Sequence, residues 1–364
     1  MKILYLANIR FPTERAHGVQ IAKMCEAFAD AGAEVTLVVP NRAVAIDEAP
    51  HEYYGVKRNF KIVKLGKLQD PRSDIGYWMA YTRFVCGLPF YCLKNKADVY
   101  YSRDESIVFL LSLFGIKTVW EAHGWKGGLR VRYILAAIQK IVVITNIAKK
   151  RYVEDGVPAQ KFIVAPDGID EVLLTRREDK ISARIKLGLP VEGVFAFYIG
   201  SLNKWKGYQT LLACAEILAN RHITIVIVGE STEKQKKESP QVRFLGYTPY
   251  KELAMVQSAA DVLVIPNSAK SVVSTDYTSP LKLFAHMASG RPIVASDLPS
   301  LREVLDERTA YFFKPDSPED LARTIEYAVA HSEEADEKAQ RALVKVREYT
   351  WEKRARRILA FICA

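Results

Sequence analysis

The feature that most restricts this chain is its alternation of short apolar runs with longer segments of helical period. Strands alternating with helices imply a parallel sheet covered on both faces. The series opens with a strand over Ile3 to Ala7, a helix over Val19 to Ala31 with Ile21, Met24, Cys25 and Phe28 on one face, and a strand over Val35 to Pro40. That is a βαβ unit, and Gly32 is placed to close its helix. Strands follow at Asp98 to Ser102, Lys117 to Glu121, Ile141 to Thr145 and Phe162 to Ala165, and the aromatic-rich stretch Pro71 to Leu93 reads as helix.

The alternation pauses after Pro166-Asp167-Gly168-Ile169-Asp170, runs through a charged helix from Arg176 to Leu187, and restarts at Phe195. The second series is Phe195 to Ile199, Ile223 to Val228, Val242 to Leu245, Val262 to Ile265, Ile293 to Ala295 and Tyr311 to Phe313, with helices between. Single cores stop growing at roughly 250 to 300 residues, so 364 residues at 49% hydrophobic content suit two. The expected architecture is therefore α/β: two Rossmann-like, doubly wound parallel-sheet domains facing a central cleft. Residues 1–170 form the first and 171–349 the second, and the amphipathic segment 350–364 is expected to pack back on the first.

The five cysteines are scattered without a CxxC pair or a Cys/His cluster, which argues against a disulfide framework or a structural zinc and suits reduced thiols in the cytoplasm. The opening MKILYLANIRF is too brief for a signal or membrane segment. Lysine and arginine number 52 against 42 acidic residues, a balance of +10 that favours an anionic partner. No RNP-like run, zinc finger or basic tail accompanies it, so nucleic acid is the weakest choice. Arg130, Arg132, Lys149, Lys150 and Arg151 are candidates for a peripheral contact with an anionic membrane, beside the plainer reading of solvated helix faces.

Open α/β sheets bind ligands outside the carboxyl ends of their strands, and four segments fall there. Gly200-Ser201-Leu202-Asn203-Lys204-Trp205-Lys206-Gly207 follows a strand and precedes a helix, where a lysine can neutralise phosphate; it is not a Walker A loop. In Thr278-Ser279-Pro280-Leu281-Lys282, Ser279 reads as an N-cap and Pro280 as the first helical residue, leaving the amides of Leu281 and Lys282 for a diphosphate. His123, in Glu121-Ala122-His123-Gly124, is placed to meet a sugar hydroxyl or developing charge. Gly18, ahead of the first helix, allows close backbone approach without the GxGxxG pattern of NAD-binding chains. Each also has a structural reading as a capped helix, a turn or a core histidine.

Taken together, SPLKLFAHMASGRPIVASDLPSLREVL, GSLNKWKG, VAPDGID and the closing TW resemble the family 4 glycosyltransferases of GT-B fold, over nearly the whole chain. The resemblance implies retaining transfer from a UDP- or GDP-sugar to a hydroxyl acceptor, lipid-linked or glycan, in cell-surface polysaccharide or glycolipid synthesis, with no metal or other cofactor. By it Lys206 grips the donor diphosphate, Gly200 and Ser201 border it, and Thr278, Ser279, Pro280 and Leu281 present backbone to it. His123 reaches the donor sugar, and Gly246 and Tyr247 flank the base. The family commonly has arginine where this chain has Ser201. Its EX7E pattern falls on Tyr277 and Ala285, and a methyl group cannot hold the two ribose hydroxyls as the second glutamate does. A natural variant with substitute contacts, a deliberate Glu→Ala replacement and a nucleotide-sugar-binding pseudoenzyme are all consistent with Ala285. A GT-B epimerase would need further acid/base carboxylates, for which Glu121 is available.

Overall fold

The computed structural model describes residues 1–69, 74–175, 178–232 and 241–364. The chain divides into two units, Met1–Pro166 with Trp351–Ala364, and Asp167–Thr350. Arg176, at the head of the expected charged helix, and Pro71 to Ser73, at the head of the expected aromatic helix, lie outside the described residues. The helices there run Lys180–Lys186 and Asp74–Lys94.

The first unit carries a seven-stranded, all-parallel sheet: β1 (Lys2–Leu6), β2 (Glu34–Arg42), β3 (Lys61–Gln69), β4 (Val99–Ser102), β5 (Thr118–Ala122), β6 (Ile141–Val143) and β7 (Phe162–Val164), in the order β3-β2-β1-β4-β5-β6-β7. The edge strand β3 was not expected from the sequence. The helix after β1 runs Ala16–Asp30, and the helix Trp351–Cys363 packs against it within the same unit. Asp104 caps the helix Glu105–Leu113 by accepting from Ser106 N at 2.9 Å, which satisfies one of the amides a helix start leaves unpaired.

The second unit has six parallel strands: β8 (Val194–Ile199), β9 (Ile223–Val228), β10 (Val242–Gly246), β11 (Val262–Ile265), β12 (Ile293–Ser296) and β13 (Tyr311–Phe313), ordered β10-β9-β8-β11-β12-β13. Side chains alternate between the faces. Ala196 and Tyr198 of β8 join Ile225 and Ile227 of β9 in one core, while Phe195 and Phe197 join Val226 and Val228 in the other. Burial on both faces explains why these strands are continuous apolar runs. Each large side chain taken fully out of water stabilises the unit by roughly 1.5 to 3 kcal/mol. The helix Ser332–Val346 buries Ala335, Ala339, Ala342 and Val346, a stripe at helical spacing. Among the described residues no helix is long and apolar enough to cross a membrane.

Candidate active site

In the second sheet the strand order turns at β8 and β11, which makes their carboxyl ends the expected ligand crevice. The turn after β8 enters a short 3-10 segment, Lys204–Lys206, and then Gly207. Gly207 has φ 70°, and a Cβ there would stand 1.6 Å from the Pro266 carbonyl oxygen, so this loop lies directly on the residues that follow β11. Trp205 O accepts from Ser268 N at 3.0 Å and fastens the two loops together. Lys206 Nζ donates to Ser201 Oγ at 2.8 Å, and the Tyr198 hydroxyl donates to Ser201 O at 2.7 Å. Burial lowers the pKa of Lys206.

Three glycines end the neighbouring strands. Gly200 N donates to Val228 O at 2.9 Å, and Gly229 N donates to Gly246 O at 2.7 Å. A Cβ on Gly229 would stand 2.3 Å from Gly200 O. Gly246 takes φ 74°, and Tyr247 beside it is 44% exposed.

The helix expected at Ser279 begins at Leu281 and runs to Ser289, with Pro280 in the capping position. Ser279 is not the N-cap: its hydroxyl accepts from Asp167 N at 3.2 Å, a tertiary donor that takes the place of the helix amide. The first bond at the helix start joins Leu283 N to Pro280 O at 2.8 Å, so the amides of Leu281 and Lys282 lead it. Tyr277, Thr278 and Ser279 are buried, and Ala285 is 1% exposed in the interior of the helix. His286, wholly buried next to it, has Nδ1 2.8 Å from Gln257 Nε2; burial first, and then Lys282, lowers its pKa to about 3.

The side chain of Lys282 had no role in the sequence reading, which used only its backbone. Its Nζ lies buried without a hydrogen-bond partner, 4.4 Å from the centre of the Tyr198 ring. Its place in the capped segment was visible; its burial was not.

In the first unit His123 follows β5, with Nε2 2.7 Å from Glu121 Oε1. Glu121 is fully buried and accepts from Gln20 Nε2 at 2.7 Å, Tyr101 OH at 2.5 Å and Arg354 Nη2 at 3.0 Å. Burial by itself raises a carboxyl pKa; here Arg354 and His123 outweigh it and hold Glu121 well below its ordinary range. A carboxylate so engaged is a support for His123, and its use as the acid/base of an epimerase is not favoured. His17 shares this neighbourhood, its pKa lowered to about 4 by burial, then by Arg103 and Arg15 and, less, by His123. Gly18 lies inside the helix Ala16–Asp30. A Cβ there would stand 2.3 Å from the Tyr54 hydroxyl, so this glycine is required by packing.

Two family models match the chain: Glycosyltransferase Family 4 over residues 17–173, and Glycosyl transferases group 1 over residues 194–331. Among curated proteins it is similar to D-inositol 3-phosphate glycosyltransferases, 27% identical over 256 residues to that of Nocardioides sp., and 28% over 217 residues to that of Segniliparus rotundus. These matches span 62% and 55% of the chain, and 54% and 46% of those relatives, so the chain spans about half the length of the curated relatives it matches. Among solved structures, sucrose-phosphate synthase from Thermosynechococcus elongatus superposes with TM-score 0.77 at 19% identity, covering 99% of this chain and 97% of that one. HepE from Anabaena, solved with UDP and glucose, superposes with TM-score 0.75 at 15% identity over the whole of both chains. At such identities the likeness is one of fold.

Proposed function

Because the chain belongs to the family 4 glycosyltransferases and has their GT-B fold, we propose that it takes a UDP- or GDP-sugar on its second unit and transfers the sugar, with retention, to a hydroxyl acceptor. The observation that carries this reading is the seating of the Lys206 loop on the end of β11, at the turning point of the sheet. The amide-bearing start of the helix Leu281–Ser289 supplies the second element of the donor site. A cation and unpaired amides suit a diphosphate, and charge placed where the leaving diphosphate gathers it lowers the barrier to transfer. We assign that charge to protein groups, so activity is expected to survive a chelator. Gly200, Ser201, Thr278, Ser279, Pro280 and Leu281 border the diphosphate, Gly246 and Tyr247 the base, and His123, oriented by Glu121, the sugar.

Calorimetric titration with UDP and GDP tests the donor site. Saturable binding of one nucleotide, weakened about tenfold or more by Lys206→Ala, is expected; absence of binding by the unaltered protein would end this reading. Ala285 favours a second outcome, a chain that binds nucleotide sugar and does not turn it over, distinguished by following release of UDP or GDP from the matching sugar nucleotide.

For the acceptor we propose a lipid-linked hydroxyl at an anionic membrane, in cell-surface polysaccharide or glycolipid synthesis. Arg130 and Lys150, expected as basic contacts, pair with Glu105 and Glu154. A better face is formed by the helices Asp74–Lys94, Glu105–Leu113 and Leu129–Ala137, where Trp78 is 61%, Phe90 67% and Leu129 85% exposed. Exposed aromatic and aliphatic side chains on helices that also carry the exposed Arg83 and Arg132 suit a membrane surface. Sedimentation with anionic liposomes across a salt series tests this, and equal binding to neutral vesicles at every salt would count against it.

A further inference from the structure

We infer that Lys282 is the second cation of the donor-diphosphate site, partnering Lys206 across the Tyr198–Ser201 junction. The inference rests on the donor site proposed above and names a residue that the sequence reading left without a role. Lys282 Nζ is buried, has no hydrogen-bond partner and stands over the Tyr198 ring at 4.4 Å. The hydroxyl of that tyrosine holds Ser201 O at 2.7 Å, and Ser201 Oγ receives Lys206 Nζ at 2.8 Å. The two lysines are thus joined through one tyrosine and one serine. Among the described residues neither has a carboxylate partner.

An ammonium buried without an anion is costly, and two of them near one another more so. Burial first, and then repulsion from Lys206, lowers the Lys282 pKa well below its ordinary value. A multiply charged anion removes both penalties, because it pairs with the charged amine and screens one lysine from the other. Lys282 also sits in the first turn of a nine-residue helix, where the leading amides and the dipole favour the same sign of ligand. Arrival of a diphosphate therefore raises the Lys282 pKa, so whatever fraction of the amine is neutral in the free protein takes up a proton on binding.

The experiment is calorimetric titration of the full chain with UDP and GDP near pH 8, where phosphate groups of pKa about 6 no longer titrate. Two buffers of different ionisation enthalpy report the protons exchanged. We expect uptake by the unaltered protein, and about a tenfold or larger loss of affinity in Lys282→Met together with loss of that uptake. Lys282→Arg should recover affinity without uptake, since a guanidinium is charged throughout. Without nucleotide, Lys282→Met should melt at the same or a higher temperature, because it removes a buried amine. Tight binding with unchanged uptake in Lys282→Met would overturn the assignment to Lys282 alone. No nucleotide binding by the unaltered protein would instead overturn the donor site itself. An equal loss of affinity for uridine, which lacks phosphate, would also overturn the inference, by showing a general distortion of the site.

Discussion

Arg354 Nη2 donates to Glu121 Oε1 at 3.0 Å, both side chains almost wholly buried and their residues 233 apart in the chain. The same guanidinium donates through Nε to Pro166 O at 2.9 Å and ties the helix Trp351–Cys363 to the end of the first sheet. Removing Arg354 takes from the buried Glu121 its principal counter-charge and leaves it His123 and the neutral donors Gln20 and Tyr101. Arg354→Met should cost about 3 to 5 kcal/mol in urea unfolding. The folded-state pKa of Glu121 lies below its value of 4.5 in the unfolded chain. Its contribution is therefore present above that value and is lost as pH falls through the lower, folded one. The acid-unfolding midpoint of Arg354→Met should accordingly move to higher pH, and an unmoved midpoint would contradict the role given to this pair.

His286 gives a pH dependence of the opposite origin. It is wholly buried, and its pKa falls from 6.5 to about 3. Between those values the unfolded chain carries a proton that the folded chain lacks, so stability declines as pH falls through this window, by about 1.4 kcal/mol per pH unit for one site. His286→Gln retains an amide for Gln257 and never titrates. Its unfolding free energy should fall less steeply below pH 6.5, and an identical pH profile would contradict the assignment.

Gly207→Ala tests the seating of the Lys206 loop. The left-handed backbone alone costs an alanine about 1 to 2 kcal/mol, and the clash with Pro266 O adds to it. Thermal unfolding should show a lower Tm, and nucleotide affinity should fall as Lys206 is displaced. A variant of unchanged stability would mean that the loop is not held as described.

Ala285→Glu should strengthen UDP or GDP binding about tenfold for each ribose hydrogen bond gained. Calorimetry decides. If affinity is unchanged, no ribose clamp is missing from this site.

The inner strands of both sheets were legible in the sequence because burial on both faces makes them unbroken apolar runs. The edge strand β3 was not, since Lys61, Lys64 and Lys67 interrupt it. Among the described residues it pairs only with β2, and charged residues are what exposed edges tolerate. At the site, the turn that carries Lys206 and a helix start close to Pro280 were readable from glycine and proline chemistry, but the helix begins one residue later, at Leu281, with Pro280 in the capping position and no side-chain cap. The hydroxyl of Ser279 was misassigned because its donor, Asp167 N, lies 112 residues away. The partners of Glu121 come from residues 20, 101 and 354, and only the folded chain assembles them. Lys282 escaped notice because a lysine in a first helical turn ordinarily faces water, and its burial beside Tyr198 is a product of tertiary packing.

The interlock of Gly200, Gly229 and Gly246 bears on how a donor preference can change. Where one backbone rests on the next with no room for a side chain at Gly229, the rim is a fixed template that substitution cannot reshape without disturbing its neighbour. Side-chain changes are accommodated one position further along, at the exposed Ser201, Glu230 and Tyr247. A library meant to alter the proposed nucleotide preference belongs at those three positions, with the glycines left untouched.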